Sequence, residues 1–586
     1  MCGIAGLFDL SGEGRRVPDG MLGAMAASMI HRGPDEDGFL DEPGIGLASR
    51  RLSIVGLSDG RQPIHNEDRS ISVVFNGELF DYPEVRARLE AHGHQFRTHC
   101  DTEIIPHLWE QHGDELFGHL RGQFAFALWD RRQRRLLLAR DQFGVCPLYF
   151  TVQRIDGGDW LLFASEVKSL LATGMVDAVP DRRGIHQMFT FFALPGRVTC
   201  FQGVELLPPG RCLEVRLDGS EAGRVKERTY FEIDFPERGQ EQRGGDPVKL
   251  VDQFQELLLN AVEKRLRADV PVVSYLSGGI DSSIVVALAN HIRKEPIPTF
   301  TVKVEDPQLD ETREAGLVAR HVGSKPVVVR YSTAEALGVY PRLIRAAEAP
   351  VVDTSCGALL LLAQEVNRQG YKVALTGEGA DEWFGSYPWY NTHAILSKFD
   401  AIPGLPISML VRQLAGRMLG MPTPSRAHIR RVYDSVGGSN AWLEIYGLMG
   451  TNKLRFFSAE MVESLQDHIP FNDIGLNLPR MAQWHPFHRS LLIGARVQLP
   501  GLLLNGKGDR VAMHNSVETR YPFLDLEVYQ FLAKLHPHWK RYLFRDKYLL
   551  RKLCARWLPK SIAWRRKAMF RAPFNLCNFA AAPPFV

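Results

Sequence analysis

One stretch limits what this chain can fold into more than any other: Val272-Val273-Ser274-Tyr275-Leu276-Ser277-Gly278-Gly279-Ile280-Asp281-Ser282-Ser283. A short apolar run gives way to small residues and then to Ile284-Val285-Val286-Ala287-Leu288, which predicts a buried strand, a tight glycine loop and the first turns of a helix. Such a loop is an anion site. Glycines let the backbone approach a ligand, the N–H groups that open a helix lack intrahelical partners, and serine hydroxyls add donors, so a pyrophosphate is held without a lysine in the loop. A bare Ser-Gly-Gly would read equally well as an ordinary strand-to-helix turn. Asp281 and the serines after it favour the phosphate loop.

At 586 residues the chain is too long for a single core and should divide into two or three domains. Its formal charge of +3 and lack of a basic block imply no nucleic-acid and no anionic-membrane partner. Cys2, Cys100, Cys146, Cys200, Cys212, Cys356, Cys554 and Cys577 are scattered without a C-x-x-C pair. That pattern argues against a cysteine zinc site or a disulfide framework and for a reducing cytoplasm. No uncharged apolar run of about 18 residues occurs, and no basic region followed by an apolar core opens the chain, so a membrane span and a secretory signal are both unsupported. A soluble cytoplasmic enzyme is expected.

The chain opens Met1-Cys2-Gly3-Ile4-Ala5-Gly6-Leu7-Phe8. A methionine before a small residue is usually removed after synthesis, which would leave Cys2 with both a thiol and a free α-amine. An α-amine with a pKa of roughly 7.7 to 8.0 is partly neutral near pH 7 and can take the thiol proton. In an arbitrary protein a second-position cysteine is far more often a buried small residue on an edge strand. Segments further along the chain reverse that expectation: His31-Arg32-Gly33-Pro34-Asp35, Arg50-Arg51-Leu52-Ser53-Ile54-Val55, Phe75-Asn76-Gly77-Glu78, Cys100-Asp101-Thr102-Glu103, Gly122 to Asp130, Ala139-Arg140-Asp141-Gln142-Phe143-Gly144 and Phe163 to Lys168. The apolar stretches between them alternate or run as short strands, as stacked antiparallel sheets covered by helices require.

In this order, over residues 2–210, these segments resemble the class II glutamine amidotransferase domain, an α+β N-terminal-nucleophile fold of four layers (αββα). The resemblance implies that Cys2 attacks the side-chain amide of glutamine, giving a thioester and ammonia, and that Asn76 and Gly77 form the oxyanion hole. It implies that Arg51, with the loop Leu52, Ser53, Ile54 and Val55, holds the glutamine carboxylate, since a planar guanidinium matches a carboxylate in two-point contact. Asp101 and the Glu78 backbone would receive the α-amine. Asn-Gly is also a strong hairpin signal, so a tight turn at Asn76-Gly77 is expected to present the donors.

Residues 211–248 are expected to link the domains. Arg211 to Leu217 alternates and would suit a last strand of the first domain, whereas Glu237 to Gly245 is charged and glycine-rich with no apolar face. From Leu250 to Arg265 apolar residues recur at three and four, predicting an amphipathic helix. Strands at Thr299–Val302, Lys325–Val329 and Lys372–Leu375 then alternate with helices, the pattern of an α/β parallel sheet with ligands at the carboxyl ends of its strands. The last of these ends in Thr376-Gly377-Glu378-Gly379-Ala380-Asp381-Glu382, a density of carboxylates that needs cations beside it.

Residues 249–586 resemble the synthetase half of the glutamine-hydrolysing asparagine synthetases, whose nucleotide loop is of the ATP-pyrophosphatase type; related loops occur in guanylate and NAD synthetases, which lack the N-terminal cysteine domain. The resemblance implies ATP and Mg²⁺. Leu276, Val302, Thr376 and Gly377 would line the adenine nucleotide, and the loop from Ser277 through Gly278, Gly279, Asp281 and Ser282 to Ser283 would hold the pyrophosphate. Asp281 and Asp381 would hold magnesium, Glu378 would accept a proton as ammonia attacks the acyl-adenylate, and Lys567 would neutralise phosphate charge. Gly508 to Met513 and Glu518 to Asp525 also match the family. Residues 386–500 match least and are expected to form helices over the second site, where acceptor selectivity differs. The chain ends at Ala582-Pro583-Pro584-Phe585-Val586, where similar proteins continue with more helix.

The expected activity is glutamine-dependent amidation of an adenylated carboxylate, with ammonia crossing an internal apolar passage. L-Aspartate is the default acceptor, and a sugar acid, a cell-wall intermediate or a natural-product precursor is the alternative. From another class come a ring-closing ligase without glutaminase activity and a non-catalytic partner; the joint presence of Cys2, Arg51, Asn76 and Asp101 speaks against both. Only small-molecule partners are implied, and a homodimer is possible.

Overall fold

A computed structural model of the chain describes all residues except 400–425, 444, 448–452, 454–455, 466–467, 544, 568–569, 571 and 573–586. The apolar ending and part of the weakly matching 386–500 stretch lie outside the described residues.

Twelve strands come from the first 229 residues: β1 (Gly3–Asp9), β2 (Glu36–Glu42), β3 (Ile45–Arg51), β4 (Ile64–His65), β5 (Ile71–Leu79), β6 (Gly122–Asp130), β7 (Arg135–Arg140), β8 (Tyr149–Ile155), β9 (Gly158–Ala164), β10 (Glu205–Leu206), β11 (Arg211–Arg216) and β12 (Lys226–Thr229). They build two antiparallel sheets, ordered β10-β8-β9-β1-β3-β2 and β12-β11-β7-β6-β5-β4. Ile4, Phe8, Ile45 and Leu47 of the first sheet meet Val74, Ala125, Ala127 and Leu138 of the second in one core. The outer faces are covered as well. Helix Met21–Ala27 packs Met21, Leu22 and Met25 on the first sheet, and helices Tyr82–Ala91 and Ile104–His112 pack Val85, Leu89, Ile105 and Leu108 on the second. Covered on both sides, β5 is buried along its whole length and shows no inside–outside alternation. The result is the expected four-layer αββα domain.

Residues 211–229, read from the sequence as part of the connection, are the edge of the second sheet. Their pairing runs from Cys212↔Ala139 to Arg216↔Arg135, and β12 closes on β11 from Arg211↔Thr229 to Glu214↔Lys226. The connection proper is shorter and is fastened to the second half, with isolated bridges Glu237↔Trp484 and Gln242↔Leu535.

The amphipathic helix spans Pro247–Arg265, its N-terminus capped by the Asp246 carboxylate on Val248 N–H. It buries Leu250, Val251, Phe254, Leu258 and Val262. Then come β13 (Val272–Tyr275), β14 (Thr299–Val304), β15 (Pro326–Tyr331), β16 (Val373–Leu375) and β17 (Glu518–Arg520). All pair in parallel, in the order β15-β14-β13-β16-β17. The chain winds one way from β13 to β15 and the other way from β16, so the β13 and β16 loops open side by side at the point where the direction reverses, the usual ligand crevice of such sheets.

Two buried histidines set an acid limit on this fold. Burial, reinforced by Lys453 and His468, holds His186 down at about 2; burial and Lys540 hold His488 well below its ordinary value. The unfolded chain takes up these protons near pH 6.5 and the folded chain does not. Their contribution is therefore complete above that pH and lost as pH falls below it, at about 1.4 kcal/mol per pH unit for each. The melting temperature should fall between about pH 7 and pH 5, and His186→Gln should flatten the slope. An equally steep slope in that variant would contradict the assignment.

Candidate active sites

Cys2 sits at the entry to β1, facing Asn76 of the other sheet, and its backbone N–H donates to Asn76 Oδ1 at 2.8 Å. That bond occupies the amide oxygen and leaves Asn76 Nδ2 buried with no hydrogen bond. An unpartnered donor beside a thiol is costly unless a ligand completes it, and a developing oxyanion is such a ligand. Asn76 and Gly77 do not form the expected turn. They lie inside β5, opposite Ala125 and Phe124, because this strand runs on, buried, to Leu79. Gly77 is dictated by packing, since a Cβ there would lie 2.1 Å from Gln123 O.

Arg51 ends β3 and is buried. Its Nη1 meets Glu36 Oε2 at 2.6 Å, while Nη2 donates to Val55 O at 2.9 Å and Gly56 O at 2.7 Å. The loop Leu52 to Val55 is buried throughout, fixed by Ser53 N–H on Asp35 Oδ2 at 2.8 Å. Burial pushes the Cys2 thiol up, opposed by the Met1 ammonium, the Leu52 backbone and Arg51. Across the cleft, Asp101 Oδ2 accepts from Leu79 N–H at 2.8 Å, and burial pushes its carboxyl up.

The expected free α-amine at Cys2 requires the removal of Met1. Met1 is in place, so the Cys2 nitrogen is an amide and cannot act as a base. The Met1 ammonium pairs with Glu518, and its sulfur lies 3.5 Å from Cys146 Sγ.

Glu518 and Arg520 connect this cleft to the second half. Arg520, 0% exposed, binds Glu518 at 2.6 Å, Glu78 at 3.0 Å, and the carbonyls of Arg265 and Arg267 at 3.0 and 2.6 Å. Burial pushes Glu78 well above the ordinary carboxylate range, against the pull of Arg520. Gln123 Nε2 donates to Thr519 O at 3.0 Å. Nearby, Arg32 donates to Cys2 O at 2.9 Å and grips Asp509 at 2.7 and 2.8 Å.

On the far side of β17, Arg520 O accepts from Thr376 N–H at 2.9 Å, and Thr519 and Tyr521 reach a cavity of roughly 450 Å³. The cavity is also lined by Leu276, Ser277, Gly279, Asp281, Ser282, Val302, Thr376, Gly377, Glu378, Asp381 and Lys567. Gly278 and Ser283 are not on its surface. Gly278 turns the backbone at φ 76°, where a Cβ would lie 2.6 Å from Ala315 N, and Ser283 is buried behind the loop with its hydroxyl unbonded. Ser282 Oγ knits the loop, 3.2 Å from Ser277 N and 3.1 Å from Ser277 Oγ.

Lys547 bridges the two aspartates, reaching Asp281 Oδ2 at 2.5 Å and touching Asp381 as well. Lys567 pairs with Asp381 and lies 3.8 Å from Asp281. Against burial, the two lysines hold Asp381 far below its usual range; at Asp281, burial wins and pushes the carboxyl up. Burial also raises Glu378. Sequence reasoning missed Lys547, which stands at φ 51° before helix Tyr548–Trp557, and Lys507, which lines the cavity 2.8 Å from Asp353. Lys547 has no glycine loop beside it and follows no apolar run, and Lys507, although it follows Leu502-Leu503-Leu504 and stands between Gly506 and Gly508, lies within the helical segment Gly494–Asp509, so the tertiary fold is what brings both to the cavity.

Known proteins resemble the chain along its length. A glutamine amidotransferase domain family model matches residues 1–230, and the asparagine synthase family model matches residues 253–583. The chain is 30% identical over 580 residues to "Asparagine synthetase [glutamine-hydrolyzing] 1" of Bacillus subtilis, covering 98% of this chain and 87% of that one. It is 31% identical over 593 residues to "Amidase chyE" of Penicillium rubens (93% and 83% covered) and 30% identical over 601 residues to "Amidase chry2" of Gibberella zeae (93% and 84% covered). The two halves together define a glutamine-dependent amidotransferase with an N-terminal-nucleophile domain joined to a parallel-sheet synthetase domain. The chain belongs to the asparagine synthase family. Among the described residues no helix is long and apolar enough to cross a membrane.

Proposed function

We propose that glutamine is hydrolysed at Cys2 and that the ammonia amidates a carboxylate activated as its AMP ester in the 450 Å³ cavity. The observation that carries this reading is the position of β17: Arg520 pairs with Glu78 of the cysteine cleft through its side chain and with Thr376 of the cavity through its carbonyl. After loss of Met1, the Cys2 amine takes the thiol proton. Asn76 Nδ2 and the Gly77 N–H stabilise the tetrahedral oxygen, a contribution of roughly 3–4 kcal/mol for each donor. Arg51 holds the glutamine carboxylate and Asp101 its amine. Ammonia that escaped to water near neutrality would become ammonium, so delivery under the domain interface preserves the nucleophile.

In the cavity, Ser277, Gly279 and Ser282 face the pyrophosphate, Leu276 and Val302 flank the nucleotide, and Glu378, raised by burial, receives a proton from the attacking ammonia. Asp281 and Asp381 are hard oxygen donors, and Asp281 Oδ1 is buried without a hydrogen bond, which fits magnesium. Bound with ATP, magnesium would draw charge from the phosphate oxygens; Lys547 and Lys567 add positive charge at the same carboxylates.

The first acceptor to test is L-aspartate, giving L-asparagine. A second reading, a larger and partly apolar carboxylate, is supported by the cavity wall, which includes Phe192, Tyr387, Trp389, Ile445 and Leu502; two relatives named amidases accompany it. ATP–pyrophosphate exchange separates them. Exchange dependent on aspartate supports the first, while exchange with an aryl or aliphatic acid and none with aspartate overturns it in favour of the second.

A further inference from the structure

We propose that Glu67, His94, His107 and Glu110 form a zinc site on the outer face of the glutaminase domain. The four come from three separate segments: the turn between β4 and β5, the loop after helix Tyr82–Ala91, and helix Ile104–His112, where His107 and Glu110 share a face at i, i+3. One donor atom from each lies within 4.8 Å of the others. His94 Nδ1 is 3.4 Å from Glu67 Oε1 and 3.9 Å from Glu110 Oε2, and His107 Nδ1 is 3.5 Å from Glu67 Oε2. Four ligands held tetrahedrally at about 2.0 Å from zinc stand about 3.3 Å apart, so these spacings, which involve both Glu67 oxygens, are close to a coordination shell; Glu67 Oε1 also accepts from Gln95 N–H at 2.9 Å and Glu110 Oε2 from Asn66 Nδ2 at 3.5 Å.

His107 supplies the second, independent observation. It is 0% exposed, and neither ring nitrogen has a hydrogen-bond partner. A buried imidazole with nothing to bond is costly, and its Nδ1 points into the cluster. The rear of each ring is backed by an acceptor: Glu103 Oε1 lies 3.7 Å from His107 Nε2, and Gln111 Oε1 lies 3.3 Å from His94 Nε2. At His94 that bond places the proton on Nε2 and leaves the Nδ1 lone pair facing carboxylates, the orientation outer-shell oxygens impose on metal-binding histidines; at His107 neither nitrogen is committed to another partner. Two imidazoles and two carboxylates in a compact shell suit zinc better than magnesium or calcium. Arg132 approaches only the other oxygen of Glu110, Oε1, at 3.8 Å. Zinc here would tie two loops to the helix that comes after Asp101, steadying one wall of the glutamine cleft without joining its chemistry.

The test uses the full chain without a histidine tag, stripped with EDTA and titrated with zinc against a chromophoric chelator. One tight equivalent is expected, with a rise in melting temperature and an X-ray absorption spectrum showing nitrogen and oxygen but no sulfur ligands. Because His107 is part of the core, His94→Gln and Glu110→Gln serve as variants. Each should melt like the parent without zinc yet bind it at least about tenfold more weakly. Absence of stoichiometric zinc, sulfur ligands, or unchanged affinity in both variants would overturn the proposal.

Discussion

Cys2→Ala is expected to abolish glutamine-dependent amide formation, by about a thousandfold or more, while ammonia-dependent formation stays within about twofold of the parent. The asymmetry comes from position. Cys2 lies in the cleft with Asn76 and Arg51, and its side chain is not on the surface of the cavity that holds Asp281 and Glu378. An alanine removes one sulfur and leaves β1 paired with β3 and β9. Glutamine hydrolysis and amide formation should be measured separately, alongside the mass of the intact chain. Processing makes the prediction sharper, because a chain that keeps Met1 has its amine on Glu518 and no base on Cys2. Full glutaminase activity from protein shown to retain Met1 would refute the role given to the amine.

Arg520→Met should destabilise the protein by about 3–5 kcal/mol, the usual cost of removing one partner from a buried ion pair. The residue is enclosed and serves two carboxylates and two carbonyls at once. Without it Glu78 and Glu518 stay buried with no guanidinium between them. Arg520→Lys should rescue little, since an ammonium cannot fork between Glu518 and Glu78. The double variant Arg520→Met, Glu78→Gln should regain at least about 1 kcal/mol by removing one of the stranded charges. Urea unfolding provides the measurement, and a loss under about 1 kcal/mol for the single variant would show that the cluster is not stabilising the interface. The KM for glutamine should also rise, because Glu78 follows Asn76 and Gly77 on β5.

The parts of this molecule legible in its sequence are those that announce themselves locally. Glycine and serine between an apolar run and a helix marked the Ser277–Ser283 loop, three-and-four spacing marked helix Pro247–Arg265, and alternating apolar runs marked the stacked sheets. What stayed hidden has no local signature. β17 is the tripeptide Glu-Thr-Arg, buried along its length although it is the last strand of its sheet, and a polar edge strand is buried only through partners far away in the chain. Lys547 and Lys507 reach their carboxylates by tertiary placement. Asn76-Gly77 misled in the other direction: the dipeptide favours a turn, but the pairing of β5 with β6 and the approach of Gln123 overrode that local preference. Roles at the two sites came through family resemblance, whereas the unbonded Nδ2 of Asn76 and the Lys547 bridge are visible only in three dimensions.

The lodging of β17 between the cleft and the cavity bears on how such enzymes can be recombined. A graft cut at the connection near residue 240 would bring in a foreign N-terminal half and strand Arg32, Glu78 and Gln123 of the old one from Asp509, Arg520 and Thr519. The exchangeable module is thus discontinuous, the leading half plus a splinter of the trailing one. Chimeras that carry residues 509–520 along with residues 1–230 should assemble where simple head-for-head swaps do not.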